Sequence, residues 1–487
     1  MATITYEKTV ATPSAEVIKL RKWWDKCHAL MEGTDAMRDM REAYLPKWPS
    51  ETDETYERRL AGSTLFPAFS RTVKTLAAKP FSKPVIIDEA TPEDIKMWLQ
   101  DADLQGRNID TVAAEQMALL LQFGFVGILA EYQRRPASVV TKADEKAAGL
   151  RPYSVTINPR SILGWKTKTD GGKTVLTQLR ILECVEEDDG EYGTKDVEQV
   201  RLFAPGVWEI HRKDARGKWF KAEEGVTSLD YIPFVAIYAE RKSFMVSKPP
   251  LLELANLNIK HWQSESDQFN LLHVARVPIL VATGVDQTFS LVVGSSAAVK
   301  LPLNATLTYT EHTGAALDAG AKSLEVLKEE MRQSGAELLV LKPGPVTATE
   351  VASDNAIGMC ALQEISAGLE DGWDQVLQMF SDYSANELTK ADGGHVQFFS
   401  DFGAATLAEA SASLLIGMAN AGKLSNKTLI EELKRRGILS AEVEYEDEVE
   451  QMATEGPAPG EEEPDDAAVV AAAPNGGKVN GDPEDVY

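Results

Sequence analysis

The sequence predicts a mixed α+β fold. Apolar residues recur at a period near 3.6 through the N-terminal quarter and again beyond Pro250, while between Tyr153 and Tyr238 the period drops to two. Clusters rich in Pro and Gly separate these blocks. The chain has 487 residues, room for about two to four modules. With 44% hydrophobic and 26% charged residues, its composition is that of neither a disordered nor a membrane protein.

The elements follow in order. Ser14 after Pro13 caps a helix through Val17, Leu20, Trp23, Trp24 and Cys27, whose tryptophans read as packing between helices. Tyr44-Leu45-Pro46-Lys47-Trp48-Pro49 must leave the helix, since its two prolines force extended backbone. A charged segment, Glu54 to Leu60, precedes a stripe of Phe66, Phe69, Val73 and Leu76 that stops at Lys79-Pro80-Phe81-Ser82-Lys83-Pro84. Ile109, Val112, Met117, Leu120 and Leu121 form a further stripe, and Phe123 to Tyr132 reads as a buried strand or the end of that helix. Short strands are then expected at Tyr153–Asn158, Val175–Val185, Gln199–Phe203, Val207–Arg212 and Lys218–Lys221, with Ile232–Tyr238 closing an antiparallel module.

After Pro249-Pro250, Leu251, Leu254, Leu257 or Asn258, Trp262, Phe269 and Leu272 mark a helix over Leu252 to Arg276, about 38 Å long. Asn258, Ser266 and His273 interrupt its stripe, which suits packing against a second long helix better than burial all round. A β-like excursion at Pro278–Val285, a Gly/Ser-rich turn and Ala298–Leu303 follow. Helix resumes from about Ala315 to Leu338, with Leu317, Ala321, Leu324, Leu327 or Lys328, and Met331 on one face. Lys342-Pro343-Gly344-Pro345-Val346 has no helical option, and Thr347-Ala348-Thr349-Glu350 is a capping-box pattern opening a third long helix to about Leu388. Gly358, Gly368 and Gly372 predict bends in that helix. Strand-like Val396–Phe399 and helices at Thr406–Asn420 and Asn426–Arg435 follow, and 451–487 is expected to be disordered.

Charge excludes one class of function. Lys+Arg number 50 against 75 Asp+Glu, a net of −25; residues 441–487 carry −14 of it, which leaves −11 for the rest. A globally basic protein that grips nucleic acid by mass phosphate neutralisation is ruled out. Cys27, Cys184 and Cys360 form no metal-ligand or disulfide pattern, no apolar stretch has membrane or signal-peptide form, and a reducing cytoplasm fits best. The search for catalysis is nearly empty. Gly172-Lys173-Thr174 lacks the first glycine of a phosphate-binding loop and precedes a strand; Glu186-Glu187-Asp188-Asp189-Gly190 fails calcium-loop spacing; the six histidines show no metal or catalytic spacing. No cofactor, metal or catalytic residue is assigned.

The order of the elements, two long helices around a small tip, a Pro/Gly loop and a third long helix, resembles the tailed-phage portal proteins, specifically a divergent portal-like family of phages and prophages known mainly as a domain of unknown function. The segments that carry the resemblance are Tyr44-Leu45-Pro46-Lys47 with Tyr56 and Arg59-Leu60; Leu254-Ala255-Asn256-Leu257-Asn258 with His261 and Asp267; Pro278-Ile279-Leu280 with Thr283-Gly284; Met331 to Leu339; Thr347 to Glu350; and Gly422 to Leu429 with Leu433 to Leu439. They span about residues 40–445.

The resemblance implies a wing at 1–250, a stem helix at 251–276, a clip at 277–312, a second stem helix at 313–338, a tunnel loop at 339–346, a tunnel helix and return to the wing at 347–403, a crown at 404–450 and a disordered acidic tail at 451–487. It further implies a ring of about twelve subunits at the capsid vertex of a virion, assembled in the host cytoplasm without a membrane. That ring would conduct double-stranded DNA without sequence specificity during packaging and ejection, and would meet the terminase large subunit, a head–tail adaptor or neck protein, and major capsid or scaffold protein. Carried onto this sequence, Lys342, Pro343, Gly344 and Pro345 form the tunnel loop, Lys328 and Arg332 join Lys342 as DNA-facing cations, and Thr347 with Glu350 caps the tunnel helix. Ordinary surface charge is the alternative for all three cations. A different neck or minor capsid protein, or an enzyme using Lys173 or Glu186–Asp189, remains the alternative for the whole.

Overall fold

Ser14 lies in extended backbone, and its hydroxyl accepts from the Val17 amide to start the first helix. The computed structural model describes residues 8–136, 138–275, 279–285, 303–310, 315–339, 360–384, 392–400, 415–419, 422–435, 439, 443 and 445–455. The chain divides into two units, 1–403 and 404–487.

The first unit begins with α1 (Ala15–Glu32), α2 (Thr34–Asp39), α3 (Asp53–Gly62) and α4 (Ala68–Ala77), followed by the short β1 (Ile86–Ile87), α5 (Glu93–Trp98) and α6 (Ile109–Phe123). Val17, Leu20, Trp24, Cys27 and Leu30 of α1 are buried with Phe69, Val73 and Leu76 of α4 and Val112, Met117, Leu120 and Leu121 of α6. Each such side chain contributes roughly 1.5–3 kcal/mol on burial. The Trp24 indole donates to the Phe123 carbonyl at 3.2 Å, so its one polar atom is satisfied inside the core. Burial pushes the Cys27 thiol up to about 12, the state of a packed side chain, not a nucleophile.

Gly124 decides between the two readings of Phe123–Tyr132. It caps α6 at φ +75°, and the chain leaves as β2 (Phe125–Tyr132), almost wholly buried. After α7 (Lys142–Ala147) come β3 (Pro152–Ile157), β4 (Ile162–Asp170), β5 (Lys173–Asp189), β6 (Gly193–Ala204), β7 (Val207–Lys213), β8 (Trp219–Val226) and β9 (Phe234–Tyr238). Strands β3, β2 and β9 make one antiparallel sheet, with Gly127 between Ile157 and Ala236; β4 to β8 make a five-stranded antiparallel meander. The expected strands at Val175–Val185 and Gln199–Phe203 are longer, and β4 was not expected at all. Its residues from Lys166 onward are exposed, so no alternation of apolar and polar side chains marks it. A short ribbon of β10 (Arg241–Ser243) and β11 (Val246–Ser247) leads to the next helix.

That helix, α8 (Leu252–Ala275), is followed by an antiparallel pair, β12 (Ile279–Thr283) and β13 (Thr306–Thr310), and by α9 (Ala315–Ala336), which packs along α8. Strand β12 pairs with Thr306–Thr310, and the expected segment Ala298–Leu303 lies, through residue 302, outside the described residues. Next comes α10 (Ala361–Ser384), whose Leu362, Ile365, Leu369, Trp373, Val376, Leu377 and Phe380 are all buried. Helix α10 is continuous through Gly368 and Gly372. Gly372 serves close approach: a Cβ there would stand 2.4 Å from the Ile237 Cδ1 of β9. Gly358 and the Thr347 to Glu350 cap lie outside the described residues. Finally β14 (Val396–Gln397) pairs antiparallel with β1.

In the second unit, helix at 415–419 falls within the expected Thr406–Asn420 segment, and the helix Asn426–Arg435 has the expected bounds, with the Ser425 hydroxyl accepting from the Thr428 amide. A further helix, Tyr445–Glu455, extends five residues into the segment expected to be disordered. Glu446, Asp447 and Glu448 in its first turn favour it through the helix dipole, and Glu446 pairs with Lys427 at 3.0 Å.

Candidate functional site

The pair α8 and α9 is anchored in the first unit by polar side chains on α8. Asn258 is fully buried. Its amide donates to the Phe66 carbonyl at 2.9 Å and its carbonyl accepts from the Phe69 amide at 3.0 Å, which caps α4, whose own N-cap residue, Pro67, provides no side-chain hydrogen bond. Gln263 donates to the Tyr44 carbonyl at 3.0 Å, the Ser63 and Ser266 hydroxyls meet at 2.9 Å, and Gln268 donates to the Leu317 carbonyl of α9 at 2.9 Å.

Arg59 closes this anchor. Its guanidinium is buried between both carboxylate oxygens of Glu51, at 2.8 and 2.7 Å, and the Pro46 carbonyl at 2.9 Å, and it stacks over the Trp48 ring at 4.3 Å. Asp267 of α8 is 3.8 Å away. Hydrogen bonding from Arg59 holds the Glu51 carboxyl below its usual range. The Pro46–Trp48 turn, the α3 arginine and the α8 aspartate therefore meet in space.

One turn beyond Asn258 on α8, His261 is buried against the Phe66 ring, with centroids 5.3 Å apart, and the exposed Lys328 of α9 lies over that same Phe66 ring at 5.2 Å. Burial, then Lys328, lowers the His261 pKa to about 4, and burial raises that of Glu265, 3.6 Å away. Both groups are thus pushed toward neutrality inside the joint.

The pairing of α8 with α9 leaves apolar groups outside. Phe269 is 52% exposed and Val326 51%, although Phe269 was expected on the buried stripe; Leu327 and Met331 of α9 are buried. At the hairpin, Ile279 pairs with Thr310 and Thr283 with Thr306, whose hydroxyls meet at 2.6 Å. Leu303 beside it is 94% exposed.

Of the cations singled out from sequence, Lys328 sits over Phe66 at the root of the pair, and Arg332, 76% exposed, is ion-paired with Glu329 one turn back. Lys342, Pro343, Gly344, Pro345, Thr347 and Glu350 lie outside the described residues. Lys173 opens β5 opposite Asp170 in a hairpin, and Glu186 to Asp189 end the same strand. A groove of about 1450 Å³ beside the five-stranded sheet is lined by groups that satisfy one another: Arg201 is paired with Glu131 and with Glu183 at 3.2 Å, Tyr153 donates to Glu131 at 2.8 Å and Tyr231 to Asp382 at 2.6 Å. Among the described residues no cluster of His, Cys, Asp or Glu could hold a metal ion, and no helix is long and apolar enough to cross a membrane.

A family model described as Domain of unknown function (DUF4055) matches residues 250–384, from the start of α8 to the end of α10. No curated protein matches the chain. Among solved structures, a chain from "Virion of native gene transfer agent (GTA) particle" is similar at 12% identity and a TM-score of 0.40, covering 80% of this chain and 96% of its own. A chain from "Neck of empty GTA particle computed with C6 symmetry" is similar at 13% identity and 0.40, covering 81% and 98%. A chain from "Neck of native GTA particle computed with C12 symmetry" is similar at 13% and 0.39, covering 81% and 98%.

Proposed function

We propose that this chain is the subunit of a tailed-phage portal, a ring of about twelve copies at the capsid vertex that conducts double-stranded DNA during packaging and ejection and catalyses no reaction. The observation that carries this reading is the excursion α8, β12–β13, α9: two long helices enclosing a small antiparallel tip, rooted in an α+β body by buried polar contacts and followed by α10 laid back against the sheet of that body. In the proposal α8 and α9 form the stem, residues 277–312 the clip that meets the terminase large subunit, and 404–450 the crown. The loop at 339–346 and the helix after Thr347 line the channel. A neck protein takes the terminase's place after packaging. Phe269 and Val326, half-exposed on the stem, are apolar surface that neighbouring copies would cover.

The mild charge of the body fits a conduit. Each neutralised phosphate strengthens a salt-dependent grip, so a channel through which DNA slides in both directions carries few cations. Lys342 is the proposed cation of the loop. Lys342→Glu is expected to lower the DNA retained in particles while rings still assemble, because in this reading its charge faces the channel and adds little to folding. Packaging assays and mass photometry on the same variant check it; unchanged retention, or loss of rings, contradicts the assignment of the loop.

A further inference from the structure

Residues 60–87 contain Arg71, Lys74, Lys79 and Lys83 and no aspartate or glutamate, in a chain with 75 acidic residues. The contrast with the preceding helices is sharp. Arg38, Arg41, Arg58 and Arg59 of 34–62 are each ion-paired with a carboxylate, whereas Arg71 and Lys74 are exposed and have no such partner among the described residues. Helix α4 turns Phe69, Val73, Leu76 and Ala77 into the core, which leaves Arg71 and Lys74 side by side at i,i+3 on its outer flank. Lys79 continues the surface into the following turn, and Lys83 stands over the Phe399 ring at 4.6 Å.

The position of this flank gives it a use. Thr72 of α4 is in close contact with Gly335 at the end of α9: a Cβ there would stand 3.0 Å from the Thr72 methyl. The unpaired basic flank therefore lies beside the end of the second long helix, from which the sequence runs on to Lys342. Duplex DNA carries one negative charge per ~1.7 Å of axis, so two adjacent unpaired cations reach its phosphates without reading bases.

We propose that the outer flank of α4, Arg71 and Lys74 with Lys79 and Lys83 beyond them, is a surface that contacts the phosphate backbone of double-stranded DNA, which presupposes the conduit reading above. Duplicated around a ring, a few such contacts per subunit would guide DNA without locking it.

The test uses the full-length protein, a fluorescent duplex of random sequence, and anisotropy between about 50 and about 200 mM salt. Three variants are compared with wild type: Arg71→Glu/Lys74→Glu, the neutral pair Arg71→Gln/Lys74→Gln, and the control Lys19→Glu/Lys22→Glu, which reverses two exposed lysines of α1. The α4 reversal is expected to weaken binding about tenfold at low salt and to flatten the log–log salt slope by about 2, with the glutamine pair intermediate and the control within about twofold of wild type. Equal loss in the control and the α4 variant, or no loss in either, overturns the surface. Mass photometry of the same samples separates the two readings. Wild-type rings that do not bind the duplex overturn this surface alone, whereas wild-type protein that forms no rings overturns the ring.

Discussion

Arg59 shows how one residue holds distant segments together. Its side chain is 2% exposed and that of Glu51 0%, so the pair exchanges water for two hydrogen bonds, a carbonyl and the face of Trp48. Removing one member of such a pair leaves a buried charge alone. Arg59→Ala is therefore expected to cost about 3–5 kcal/mol, and Arg59→Lys a large part of it because an ammonium cannot reproduce the bidentate contact. Denaturant unfolding measures the loss; less than about 1 kcal/mol would contradict the account. The sign of its pH dependence follows from Glu51. The folded pKa of that group is depressed, so its contribution is present above the unfolded value, is lost as pH falls through the folded one, and should be absent in the variant. The proline pair at 46 and 49 made the extended turn legible in the sequence. The meeting of that turn with Asp267 was not, because no local pattern records a contact across two hundred residues. Asn258 was visible only as an interruption in a stripe, and its role as the cap of α4 needed the fold.

At the scale of elements, legibility followed burial on one side. Helices α1, α4, α6, α8 and α9 bury a stripe and could be read from it, whereas β4 and the outer ends of β5 and β6 are exposed and carry no alternation. Gly372 of α10 has a role the sequence does not show: helix propensity records its cost but not the neighbouring sheet that leaves no room for a Cβ. Gly124 is the sharper case. It ends α6 in the left-handed region, and a Cβ there would stand 2.3 Å from the Lys248 carbonyl oxygen, on the segment that leads into α8. Gly124→Ala thus meets backbone strain and a backbone clash together, and a destabilisation of about 2 kcal/mol or more is expected. A thermal midpoint equal to wild type would show that the turn is not pinned against Lys248.

For the whole molecule, the net charge of −25 is a composite. The last 47 residues hold −14, the body is mildly acidic, and within it the α4 flank is unpaired and basic. The α+β class, the long helices and the excursion between them were legible because each is a matter of period and of breakers. The tunnel-loop residues Lys342 to Pro345 and the cap at Thr347 and Glu350 stand as proposals on the order of the segments. The most direct test of the central claim is electron microscopy of the purified full-length protein. The account predicts closed rings of about twelve subunits around a central opening, with the α8, β12–β13, α9 excursions gathered at one end. A protein that stays strictly monomeric under packaging-like conditions, or rings in which residues 277–312 lie away from the end of a two-helix stem, would contradict it.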